Sequence, residues 1–309
     1  MAENSKIEWT DHTFNPWMGC TKVSPACKYC YAERDMDHRY GKVAWGPSGT
    51  RVKTSDDNWS KPMRWNREAK EQGIRYRVFC ASLADVFEDW KGPIVDHHGG
   101  RLRVSPVGAW VSAGPLGAET DMQRMSDDFR DLTMDDIRLR LFHLIDATPS
   151  LDWLLLTKRP ENVLRMWPEE RTPDHPLLCK RKRKNVWLGT SVECSDYLSR
   201  IDLLKSAGGL ASVLFISAEP VVGPMPTLGE YLGGIDWVIT GGESGPDARP
   251  ADPDWFRSIR DQCEMHNVPF HFKQWGEFDE HQKRIGKKAA GRLLDGETHD
   301  GVPLLAVGF

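Results

Sequence analysis

The chain has no apolar run near the roughly 18 residues that a membrane-crossing helix requires, so no membrane partner is expected. Nor does it carry charge of one sign. Its 41 Lys and Arg stand against 45 Asp and Glu, a net −4. Bulk charge therefore selects no partner, and a nucleic-acid site would have to be a local patch. The opening MAENSKIEWTDHTFNP lacks the charged-then-apolar order of a secretory signal, which predicts a cytoplasmic protein. No period of about 20–50 residues recurs, which excludes a solenoid. Cysteine is sparse, seven in 309 residues and an odd number. In a reducing compartment that count argues against a disulfide scaffold, and for metal or redox chemistry where thiols cluster.

What is present suffices for a sizeable core. The chain is 39% hydrophobic with 13 tryptophans, and its length suits one large domain or two ordinary ones. Short apolar runs recur, each closing in small or polar residues: YRVFCAS (76–82), DWLLLTK (152–158), NVWLGTS (185–191), SVLFISAEP (212–220), DWVITGGESG (236–245) and PFHFKQWGE (269–277). They are apolar throughout rather than alternating, as in strands of a parallel sheet covered on both faces. Helix-like stretches lie between them at Met125–Ile145, Pro160–Trp167, Ser195–Lys205 and Asp254–Asn267; Ser195, and Asp252 before Pro253, read as caps. This alternation predicts an α/β fold, either an open doubly wound sheet or a barrel. Residues 41–75, polar with scattered tryptophans, and 92–124, rich in Gly and Pro, read as loops or insertions in a main body of residues 1–277. Residues 278–309 form a C-terminal extension with the basic run KRIGKKAAGR, then Asp295–Gly296, which reads as a tight turn or hairpin.

In α/β proteins functional residues gather at the carboxyl ends of parallel strands. Six ends here are polar: Cys80 and Ser82; Thr157 and Lys158; Thr190, Ser191 and Glu193; Ser217 and Glu219; Gly241, Gly242, Glu243 and Ser244; Lys273 and Gln274. Polar residues close many strands, but six together predict a polar pocket at one rim.

Three of the seven cysteines crowd into GCTKVSPACKYCYAER, as Cys20, Cys27 and Cys30, with the spacing C-x6-C-x2-C. Thiolates are soft ligands for zinc or iron–sulfur clusters. A structural zinc site wants four protein ligands, yet the nearest histidines, His12 and His38, fall at no zinc-finger spacing. Three ligands on one loop suit a 4Fe-4S cube whose fourth iron stays open for a substrate or cofactor. A zinc loop with a distant fourth ligand, or unliganded thiols, are the alternatives. Cys80, Cys179, Cys194 and Cys263 stand singly, as buried core cysteines usually do.

The cysteine loop near the N-terminus, followed by alternating strands and helices, resembles the radical S-adenosylmethionine (SAM) superfamily, with a longer first gap than its usual C-x3-C-x2-C and with Tyr29 before the last cysteine. IEWTDHTFNPWMGCTKVSPACKYCYAE, GGESG and LLDGETHDGVP resemble a phage-associated and bacterial family of three-cysteine proteins described as spore-photoproduct-lyase-like, over nearly the whole chain. Beside the lyases, CASLAD places Cys80 and Ser82 in register with a C-x-S-D segment, Asp85 being displaced; LLLTKRP offers Lys158, and LGTSVECSDY offers Ser191 and Tyr197. The resemblance implies a partial (β/α)6-type barrel, its first strand within residues 7–17 and the cysteine loop after it. It implies SAM bound at a cluster on Cys20, Cys27 and Cys30, and its reductive cleavage to a 5′-deoxyadenosyl radical. Lys158, Ser191 and Ser82 would hold its methionine part. Tyr29, Glu219, Gly241, Gly242 and Glu243 would line the rest of the cofactor site, although a Gly-rich turn explains GGESG as well, and Glu219 before Pro220 could equally cap a neighbouring helix. Cys80 would return a hydrogen atom to the product, or be an ordinary core residue.

Two basic runs bear on the substrate. KRKRK (Lys180–Lys184) precedes a strand, so it lies at the rim away from the expected pocket. Lys283, Arg284, Lys287 and Lys288 follow the last strand and could meet phosphates, while tryptophans in 45–65 and Trp275 could stack on bases. The expectation is a radical SAM, lyase-type enzyme repairing a DNA photoproduct or cross-link, with the damaged base leaving the stack and a flavodoxin or ferredoxin as electron donor. The alternatives are a radical SAM enzyme acting on RNA or peptide, and a zinc-containing nucleic-acid-binding protein without catalysis.

Overall fold

The computed structural model describes residues 3, 5, 7–115, 129–172 and 175–303. The chain divides into two compact units, one of Met1–Lys22 and Tyr31–Trp153, the other of Val23–Cys30 and Leu154–Phe309.

The main sheet has seven strands, paired in the order in which they occur: β1 (His12–Phe14), β2 (Tyr76–Cys80), β3 (Leu151–Thr157), β4 (Arg183–Ser191), β5 (Ala211–Ala218), β6 (Trp237–Gly241) and β7 (Phe270–Gln274). The pairs β1–β2, β4–β5, β5–β6 and β6–β7 are parallel. A doubly wound sheet reverses its strand order at a switch point, whereas a (β/α) barrel winds in one direction. The unreversed order decides between the two expected architectures: the chain is α/β with barrel-type winding. β1 falls within residues 7–17, where the first strand was expected, and with the six longer apolar runs it makes seven strands, one more than a (β/α)6-type count.

In the first unit, α1 (Asp56–Gln72) occupies a stretch that reads as loop in sequence. Ser55 caps it by accepting from the Asn58 N–H, and Gly73 ends it at φ 65°. Most of its positions are charged or polar, but Trp59, Pro62, Trp65 and Ala69 recur at helical spacing and are buried. Trp59 meets Phe14 of β1 edge-on at 5.4 Å, and Trp65 stacks on His12 at 4.3 Å. α2 (Met134–Asp146) opens with a Thr133–Asp136 capping box. It begins nine residues after the expected Met125, and 125–128 lie outside the described residues. The expected insertion at 92–124 carries strands Ile94–Val95, Gly100–Val104 and Trp110–Pro115, which join Trp17–Met18 and Arg51–Lys53 in a smaller sheet.

In the second unit, α3 (Ser199–Ser206) and α4 (Pro253–Met265) lie close to their expected places, α4 capped by Asp252 with Pro253 in its first turn. Phe256 of α4 packs edge-on against Phe272 of β7 and against Trp275, both at 5.3 Å. The expected turn near the C-terminus is present. Asp295 and Gly296 both take positive φ, and Leu294 and Glu297 exchange backbone hydrogen bonds across it. No helix among the described residues is long and apolar enough to cross a membrane.

Candidate functional site

The second unit brings the carboxyl ends of β3 to β7 together with residues Val23–Cys30 of the cysteine loop. Lys158, just past β3, donates from Nζ to Ser191 Oγ at the end of β4, 3.1 Å away. Buried Arg200 donates to the Ser191 carbonyl at 3.0 Å and to Glu193 at 2.8 Å, and its guanidinium centre lies 4.3 Å from the Tyr197 ring. The ends of β5 and β7 are joined by an ion pair, Lys273 to Glu219, at 2.5 Å, with side-chain exposures of 12% and 18%. At the β6 end both carboxylate oxygens of Glu243 accept from Arg249 at 2.8 Å. A polar rim is therefore present, made largely of paired charges. Of the expected cofactor contacts, Lys158 and Ser191 touch each other, Glu219 is held by Lys273, and Glu243 by Arg249.

The glycines of GGESG divide. A Cβ on Gly242 would stand 1.9 Å from the Trp275 carbonyl oxygen, so the chain requires glycine there for its own packing. A Cβ on Gly241 would meet nothing nearer than 3.4 Å. Tyr29 lies in the same unit, half-buried, with the Arg249 guanidinium 5.4 Å from its ring centre.

None of the seven cysteines is in a disulfide; Cys20, Cys27 and Cys30 are half-buried, whereas Cys80 and Cys263 are buried. Cys27 Sγ lies 3.8 Å from Ser24 Oγ, and Cys20 Sγ lies 3.5 Å from the Thr21 carbonyl oxygen. Three half-exposed thiols on one loop match the donor chemistry of an iron–sulfur cluster in kind and number. Among the described residues no three His, Cys, Asp or Glu side chains come together as a metal site.

The first unit holds the remaining expected residues. Cys80 ends β2 with no exposure, and burial pushes its thiol far above the ordinary cysteine range. Ser82 lies beyond the strand, so the alternation that would set it on one face with Cys80 does not reach it. Asn15, just after β1, donates to Ser82 Oγ at 3.0 Å and accepts from the Leu83 N–H at 2.7 Å, and the Tyr31 hydroxyl donates to the Ser82 carbonyl at 2.8 Å. Asp85 accepts from the Phe87 N–H at 3.0 Å, which gives it a turn-forming role.

Of the basic residues, Arg284 donates to the carbonyls of Gly245 and Pro246, while Lys283, Lys287 and Lys288 are exposed. In KRKRK, Arg181 and Arg183 pair with Glu170, and Lys180 with Glu169. Glu170 sits below the usual carboxylate range, its hydrogen bonds and charge contacts with these arginines outweighing the opposing effect of its burial.

Several residues were not legible as site residues: Asn15, Tyr31, Arg51, Lys273 in its pairing, and Arg249. Arg51 is buried, donates to Glu88, and reaches Thr21 Oγ1 beside Cys20 at 2.9 Å. Only the sequence neighbourhood of GGESG and of the first cysteine marks out Arg249 and Asn15.

A family model described as "Protein of unknown function (DUF5131)" matches residues 4–95 and 118–303. No curated protein and no solved structure matches the chain.

Proposed function

We propose that this chain, which belongs to the DUF5131 family, is an iron–sulfur enzyme of the radical SAM type, with a 4Fe-4S cluster on Cys20, Cys27 and Cys30 and a lesion in DNA as its substrate. The observation that carries the reading lies within the second unit. Cys27 and Cys30 belong to a segment of the same unit as the strand ends carrying Lys158, Ser191 and Glu219, and Arg249, bound to Glu243 at one strand end, donates to the Pro25 carbonyl of that segment. A bound cluster supplies the electron for reductive cleavage of the SAM sulfonium.

The chain's own residues do the rest. Lys158, steadied by Ser191, presents an ammonium group to the methionine carboxylate. Glu219, oriented by Lys273, offers a carboxylate oxygen to hydroxyl groups of the ribose. Cys80 is kept as a thiol by burial, which suits a donor of a hydrogen atom and disfavours thiolate ligation. The exposed Lys283, Lys287 and Lys288 are the phosphate contacts of this reading. Cys20, Cys27 and Cys30 would be the ligands of such a cluster, and ligand sets commonly assemble with their metal.

Anaerobic purification tests the reading. A brown protein with iron and sulfide that forms 5′-deoxyadenosine from SAM under reductant supports it. A colourless protein with one zinc overturns it and leaves the zinc-containing nucleic-acid binder. Turnover on lesion-bearing duplexes tests the substrate, and activity on RNA or peptide alone would replace DNA.

A further inference from the structure

The Arg249 side chain ties the part of the cysteine loop in the second unit to the sheet. Arg249 donates from Nε to Glu243 Oε2 and from Nη2 to Glu243 Oε1, each at 2.8 Å, and its backbone N–H donates to Oε2 at 2.9 Å. The same Nη2 donates to the Pro25 carbonyl at 3.1 Å. Its guanidinium centre lies 5.4 Å from the Tyr29 ring. Pro25 opens the short turn Pro25–Cys27, and Tyr29 stands between Cys27 and Cys30. The arginine therefore grips the loop on both sides of Cys27. Its anchor is firm, because the Glu243 side chain is 5% exposed and a two-pronged guanidinium–carboxylate contact fixes direction as well as distance.

We propose that Arg249 is a positioning residue. Anchored by Glu243, it holds Pro25–Cys30 in the conformation from which Cys27 and Cys30 take their metal. Glu243 is then an anchor rather than a cofactor contact, since both its oxygens are engaged. The clamp stands on contacts within one unit; only its consequence for metal loading rests on the iron–sulfur reading.

The test uses the full-length, metal-free protein. Cys27 and Cys30 are labelled with a maleimide under native conditions, and their rates are read by peptide mass spectrometry with buried Cys263 as internal reference. In Arg249→Met both rates rise about tenfold, the effect of about 1.4 kcal/mol lost from a charge-assisted contact. Arg249→Lys, which keeps the charge and loses the fork, rises too, and Glu243→Gln rises less. Circular dichroism checks the fold; should Arg249→Met not fold, Arg249→Lys and Glu243→Gln decide. Unchanged rates in folded variants overturn the proposal. Iron uptake on anaerobic reconstitution separates two failures. A wild type that takes up no iron overturns the iron–sulfur reading and leaves the clamp to the labelling result. Wild-type uptake with unchanged labelling and unchanged uptake in the variants overturns the clamp alone.

Discussion

Replacing Arg51 by methionine measures what a buried cation holds in the first unit. Arg51 has no exposed side-chain surface, and Glu88, which it meets at 2.7 Å from both Nε and Nη2, has 4%. It also donates to Thr21 Oγ1 at 2.9 Å and to the Thr50 carbonyl at 2.8 Å, and its guanidinium stacks 3.9 Å from the Trp90 ring. Methionine fills much of the same volume but leaves the Glu88 carboxylate buried without its arginine. Breaking a buried pair this way costs about 3–5 kcal/mol, whereas replacing both partners by apolar groups is often neutral or better. For a chain part of this size that corresponds to a drop in Tm on the order of 10 °C. Urea and thermal unfolding of Arg51→Met, Glu88→Leu and the double variant supply the cycle. The double variant is expected to be more stable than Arg51→Met. A cost below about 1 kcal/mol for the single variant, or a double variant no better than it, would refute the reasoning that the pair is desolvated and tightly coupled.

Three further outcomes are expected. Burial holds the His12 imidazole below its ordinary pKa despite the raising influence of Asp11 and Glu68. The unfolded ring takes its proton near about pH 6.5 and the folded ring resists, so stability is intact above that pH and falls as pH drops below it; urea titrations should show this slope flattened in His12→Asn, and an unchanged slope contradicts it. Gly242→Ala should lose about 1–3 kcal/mol or more in unfolding experiments because its Cβ meets backbone, with Gly241→Ala much milder; equal costs would show that the 1.9 Å approach does not constrain the chain. Cys80→Ala should still form 5′-deoxyadenosine from SAM while its product fails or misroutes; unchanged product removes the hydrogen-donor role.

Much of the frame was legible because burial on both faces leaves a plain mark. β3, β5 and β6 are apolar runs that end where their polar rim residues begin, and Asp252 before Pro253 marks the start of α4. The winding direction was not legible, since strand and helix alternate alike in a barrel and a doubly wound sheet. α1 was hidden by its exposure. Most of DDNWSKPMRWNREAKEQ faces water and only a narrow stripe through Trp59 and Trp65 meets the core, while Pro62 reads as a breaker. The site was legible as a set of strand ends but not as pairs. Arg51 and Glu88 are 37 residues apart, and Lys273 and Glu219 are 54 apart, so only the folded backbone joins them. Arg249 lies close to Glu243 in sequence, yet its reach to Pro25 spans 224 residues.

The central claim is that Cys20, Cys27 and Cys30 together hold an iron–sulfur cluster. Its most direct test is the iron and acid-labile sulfide content of the anaerobically purified protein beside a variant with all three cysteines replaced by alanine, with zinc assayed in the same samples. The account predicts about four iron and four sulfide per chain, lost in the variant. Stoichiometric zinc without sulfide, or iron retained in the variant, would contradict it.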